Sequence, residues 1–125
     1  MSQGICLIVD DEPAIREYLR VALRLRGLQS IEAGTAVEAL LIVEKLSGQI
    51  DLLITDIQMP GDMDGVDLAY SVKNRFSAIP LILVSGNCNQ APPDFTFVKK
   101  PFMTDAILQA IDKVMHQSRV QGAQA

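Results

Sequence analysis

Cysteine, basic clusters and long apolar runs are all scarce in this chain of 125 residues. The two cysteines, Cys6 and Cys88, fall in a predicted core strand and a predicted loop. They read as a small hydrophobe and a free thiol, which excludes a disulfide framework. No basic run is longer than Lys99-Lys100 and the formal net charge is −4, which argues against nucleic acid as a direct partner. No apolar stretch approaches the roughly 20 residues that cross a bilayer, so no membrane contact is expected. Met1-Ser2-Gln3-Gly4 leads into the first strand-like run with no basic leader and no cleavage site, and a cytoplasmic location is the expectation. Repeats, low-complexity tracts and interdomain linkers are also lacking. So are a Gly-x-Gly-x-x-Gly turn and a P-loop, which leaves a nucleotide- or flavin-binding domain of similar topology without its phosphate cradle.

What is present is a globular composition, 49 % apolar and 21 % charged. A chain of this length can bury roughly two thirds of its unfolded surface in one core. Strand and helix patterns alternate throughout. Gly4–Val9 is a continuous apolar run, the mark of a central parallel strand. Pro13 opens a helix whose buried stripe is Ile15, Leu19, Ala22 and Leu23, with Arg16, Arg20 and Arg24 on the wet side and Gly27 at its close. A short strand spans Gln29–Glu32. Thr35 and Glu38 form a capping-box pattern for a helix through Leu46 that ends at Gly48. The third strand lies in DLLITDIQMP, residues 51–60. A third helix runs from about Val66 to Phe76, strand LILVS follows Pro80, and the fifth strand is Phe95–Val98. Thr104 is expected to cap the last helix, with Ile107, Ile111, Val114 and Met115 facing inward.

Five strands interleaved with helices imply an α/β fold, a doubly wound parallel sheet joined by right-handed crossovers. Ligands in such sheets sit beyond the carboxyl ends of the strands. The first strand ends in Asp10-Asp11-Glu12, the third in Asp56, the fourth in Ser85 and the fifth in Lys100. Crowded carboxylates repel and raise one another's pKa values. A hard divalent cation relieves that repulsion, and an all-oxygen donor set points to Mg²⁺ or a close relative. With Lys100 and Ser85 opposite, the rim suits a tetrahedral dianion. Asp56 is then either a ligand only or a nucleophile toward phosphorus. Taken singly, these residues have plainer readings: Asp10 and Asp11 as helix-start acids, Ser85 as a turn residue, Lys100 as surface charge and Phe97 as core. The acidic loop Asp62, Asp64, Asp67 reads as a solvated lip, with Asp64-Gly65 marking the start of the helix. His116 has no role beyond its place near a helix end.

The set VDDE at 9–12, DIQMP at 56–60, LVSG at 83–86 and VKKPF at 98–102 resembles a response-regulator receiver domain, in order and spacing from Ile5 to about Met115. The resemblance implies a flavodoxin-like strand order of 2-1-3-4-5. It implies that Asp56 accepts a phosphoryl group from a phosphohistidine of a sensor histidine kinase or a histidine phosphotransfer protein, with Mg²⁺ as cofactor. Asp11 would bind the metal directly, Asp10 through water, and the Gln58 backbone carbonyl as the third protein ligand. Ser85 and Lys100 would hold phosphoryl oxygens, across a cis Lys100–Pro101 bond, and Phe97 would be the switch aromatic. Gln58 and Asn87 fall where the family tunes dephosphorylation. Two departures stand out: the segment from Gly86 to the fifth strand, with Pro92-Pro93 in it, leaves the fourth helix shortened or missing, and MPGDMDG is one residue longer than the usual loop. The expectation is a receiver domain over residues 1–118 with a disordered tail at 119–125, acting as a stand-alone switch on an unidentified downstream protein. Two alternatives differ in class. One is an unphosphorylated docking module. The other is an Asp-nucleophile phosphatase of the haloacid-dehalogenase type, which wants a second acid two residues on, where this chain has Gln58.

Overall fold

Strand β1, Ile5–Val9, is hydrophobic at every position and is paired on both sides, in parallel with β2 (Gln29–Ala33) and with β3 (Leu52–Asp56). Beyond β3 come β4 (Leu81–Ser85) and β5 (Thr96–Lys99), giving one five-stranded parallel sheet in the order β2-β1-β3-β4-β5. The computed structural model describes residues 4–86 and 91–124, with side chains described only as far as residue 117. The expected strand order is the observed one.

Alternation along the strands divides the core into two layers. Cys6, Ile8, Leu52, Ile54, Ile82 and Val84 point to one face, under helices α1 (Pro13–Arg24) and the C-terminal α4 (Thr104–Gln124). Leu7, Val9 and Leu53 point to the other, under α2 (Ala36–Leu46) and α3 (Gly65–Arg75). The α1 stripe is as the periodicity predicts, Leu19, Ala22 and Leu23 being buried, and Ile107, Ile111 and Val114 do the same for α4. Cys6 is fully buried and free, and burial pushes its thiol pKa up, so it behaves as a small hydrophobe. Cys88 lies outside the described residues.

The helix ends are closed by different chemistry. Gly27 takes φ 73°, and the Leu28 N–H reaches the Leu23 carbonyl at 3.0 Å while the Gly27 N–H reaches Arg24 at 3.0 Å. This is a Schellman closure of α1. Thr35 caps α2, its hydroxyl oxygen accepting from the Glu38 N–H at 3.1 Å. The full reciprocal box lies at α3, between Asp64 and Asp67. Thr104 is the first residue of α4 and not its cap: its hydroxyl shares a 2.6 Å hydrogen bond with the Tyr18 hydroxyl, while the Met103 carbonyl takes the first helical N–H groups. The α4 backbone continues to Gln124.

Between β4 and β5 no helix occurs among the described residues, in line with a shortened or missing fourth helix. Phe95 fills part of that space. Its ring meets Tyr70 edge-on at 5.1 Å and lies 5.2 Å from the Lys73 ammonium, and with Phe97 it packs against Ile57, Ala69 and Leu83.

Because Ile54 is fully buried at the centre of the sheet, Ile54→Ala should cost about 2–5 kcal/mol. Urea unfolding should show a lower midpoint at an unchanged slope.

Candidate functional site

Order 2-1-3-4-5 reverses direction between β1 and β3, and the crevice opens beyond their carboxyl ends. Asp10 follows β1 and Asp56 ends β3, so the sheet itself brings the two acids together. Lys100 follows β5, and its N–H donates to the Ser85 carbonyl at 2.8 Å, which joins the ends of the last two strands. The Lys100–Pro101 bond is cis, as expected.

The Lys100 ammonium stands 2.8 Å from Asp10 Oδ2, 3.3 Å from Asp56 Oδ2 and 3.6 Å from Glu12 Oε1. Asp10 is fully buried, and its other carboxylate oxygen accepts from the Glu12 N–H at 2.9 Å. Asp56 is 6 % exposed and Ser85 1 %. Asp11 is exposed, and it joins Asp10 and Asp56 in a group whose ligand atoms all lie within 4.8 Å of one another. One ammonium among these acids leaves the cluster net negative. The oxygen-only donors and their mutual distances fit a hard divalent cation.

Asp56 carries the main electrostatic consequence. Burial raises its pKa, the neighbouring Asp10 raises it further, and Lys100 with the Gln58 backbone N–H pulls it back only part of the way, so it settles at about 6. For Lys100, burial lowers the pKa, but the Asp10 hydrogen bond and the two carboxylate charges outweigh it and the net shift is upward. The ammonium is therefore fixed as a cation, while Asp56 is poised to change charge.

Of the residues singled out from the sequence, Asp10, Asp11, Asp56 and Lys100 meet directly. Ser85 ends the neighbouring strand β4, in register with Lys99. Gln58 is exposed, and its backbone N–H donates to the Asp56 carboxylate. Phe97 is half-buried on β5, paired with Leu83. Asn87 lies outside the described residues. Sequence reading missed two supports of Asp56. The buried Thr55 donates its hydroxyl to the Asp56 carbonyl at 2.9 Å. Gly65 packs so close that an added Cβ would stand 1.7 Å from that same carbonyl oxygen, while its N–H reaches the Ile57 carbonyl at 2.8 Å. The Asp64-Gly65 pair gave a turn signal; the need for glycine is a close backbone approach.

The family model of the response regulator receiver domain matches residues 6–112. The chain belongs to the response-regulator receiver family, a phosphoacceptor signalling module of two-component systems. It is 35 % identical over 118 residues to the sensor kinase CckA of Brucella abortus, covering 89 % of this chain and 12 % of CckA. It matches the Thermotoga maritima response regulator TrrA, solved with Mg²⁺ and BeF, at 30 % identity and a TM-score of 0.77, over 89 % of this chain and 98 % of that one. A receiver domain protein from Clostridium thermocellum shares the fold at a TM-score of 0.85 and 23 % identity, over 94 % and 98 % of the two chains. The chain thus spans a small part of its curated relatives, 12 % of CckA and 26 % of the Escherichia coli regulator GlrR. No described helix is long and apolar enough to cross a membrane.

A carboxyl whose folded pKa of about 6 lies above its ordinary 3.8 binds its proton more tightly in the folded chain, so ionisation weakens the fold. Stability should fall as pH rises from about 4 to about 6 and stay lowered above that. Asp56→Asn should therefore raise the unfolding midpoint in metal-free buffer, by more at pH 7.5 than at pH 4.5, in paired urea titrations.

Proposed function

We propose that Asp56 accepts a phosphoryl group from a phosphohistidine, carried by a sensor histidine kinase or a histidine phosphotransfer protein, and that the product switches binding of a downstream protein. The observation that carries this reading is the meeting of Asp10, Asp11 and Asp56 with the Lys100 ammonium, 3.3 Å from the Asp56 carboxylate, at the switch point of the sheet. An ionised Asp56 oxygen attacks phosphorus, the bond to the histidine nitrogen breaks, and the nitrogen keeps the electron pair. The product is an acyl phosphate.

The donor set suits Mg²⁺, with Asp11 as a direct ligand, Asp10 acting through water, Asp56 itself and the Gln58 carbonyl completing the protein's share. Bound there, the cation would neutralise the charge of the phosphoryl oxygens. Lys100 holds one phosphoryl oxygen and the Ser85 hydroxyl another. Phe97 follows Ser85 as the switch aromatic, and Gln58 and Asn87 orient water for loss of the phosphoryl group. Transfer adds roughly two negative charges at the rim, enough to bias a two-state surface. The only reactions the chain catalyses are its own phosphorylation and dephosphorylation. The absence of a second acid at Gln58 weighs against a phosphatase.

Incubation with acetyl phosphate and Mg²⁺, read by intact mass, should add one phosphoryl group. That gain should vanish in Asp56→Asn and with EDTA. Normal labelling of Asp56→Asn would refute the site, and an unlabelled wild type would favour the docking module.

A further inference from the structure

The backbone of Asp10 is held on both sides, at its N–H in the Val9–Asp10 peptide and at its carbonyl in the Asp10–Asp11 peptide. On one side the Asp10 N–H donates to the Ala33 carbonyl at 3.1 Å, extending the β1–β2 ladder by one residue. On the other, the Asp10 carbonyl accepts from Arg16 Nη1 at 2.6 Å. Arg16 is on α1, and its Nε donates to Glu32 Oε1 at 3.0 Å, near the end of β2. The Arg16 side chain is 21 % exposed, so this is a half-buried fork with each prong on a different partner. A planar guanidinium can make two such bonds at a fixed angle, and an ammonium cannot reproduce the pair.

We infer that Arg16 is a positioning residue for the cation site, orienting the Asp10–Asp11 peptide so that the exposed Asp11 carboxylate is presented beside Asp10 and Asp56. The inference rests on the cation-binding reading above. Its physical content is a rotation: the plane of that peptide sets the direction in which the Asp11 side chain leaves the backbone, and Arg16 holds its carbonyl while the Ala33 bond anchors the peptide before it. Glu32 fixes the guanidinium in turn. Helical periodicity alone puts Arg16 on the wet face of α1.

Charge and position make opposite demands here. A positive group close to a cation site repels the cation, so removing Arg16 for its charge alone would tighten metal binding. If its hydrogen bonds aim the ligands, removal weakens binding, and losing the partner of a metal ligand typically costs about tenfold or more in affinity. The test is calorimetric titration of Mg²⁺ into the full chain as wild type, Arg16→Met and Arg16→Lys, with a thermal melt of each metal-free protein. Weaker binding by about tenfold in Arg16→Met, and by less in Arg16→Lys, supports the inference. A merely structural role would lower the melting temperature and leave the affinity of the folded protein unchanged. Should Arg16→Met fail to fold, Arg16→Lys decides: its charge is retained, so weaker binding supports positioning and unchanged binding overturns it. Variants that bind as tightly as the wild type, or more tightly, overturn the inference alone. A wild type that takes up no Mg²⁺ overturns the cation reading and this inference with it.

Discussion

One ammonium among too many carboxylates is the constraint on which the rest of this structure depends. Lys100 lies within 4 Å of three acids, two of them nearly without solvent, and it cannot balance them all. Asp10 holds it most closely. Asp56, a little farther off and half compensated, keeps its proton up to about pH 6. A site left electrostatically unsatisfied fits a divalent cation, and burial makes the imbalance strong, because water cannot screen it.

The sheet exists in large part to keep that imbalance in place. Ile8, Ile54 and Val84 are fully buried one or two residues before the acids and the serine, so each rim residue is the next step after a rigid strand. The backbone is secured again at the rim: Thr55 and Gly65 pack on the Asp56 carbonyl, the Ser85 carbonyl takes the Lys100 N–H, and Ala33 and Arg16 hold the two peptides on either side of Asp10. These are short-range contacts between different elements. They tie the strand ends that the topology brings together into one constellation.

Much of this was legible in the residues. Apolar runs such as Ile5–Val9 marked the strands and their rim, because burial on both faces leaves a plain signal, while the strand order came from the resemblance that the spaced motifs carry. The capping chemistry was half legible. Thr35 acts as its pattern says, whereas Thr104 is claimed by Tyr18, a partner 86 residues away that no local pattern reveals. The same limit hid Arg16 and Gly65. Arginine on the wet side of an amphipathic helix and glycine after aspartate both have ordinary local explanations. Only the folded chain shows that one reaches the Asp10 carbonyl and that the other leaves room for the Asp56 carbonyl.

The sharpest examination of this picture is a carbon-detected NMR titration of the Asp56 side-chain carboxyl, assigned by its loss in Asp56→Asn, with and without Mg²⁺. Without the cation the carboxyl should titrate near pH 6, and added Mg²⁺ should move that midpoint to lower pH. A carboxyl that titrates at the ordinary carboxylate value, with no response to Mg²⁺, would contradict the central claim.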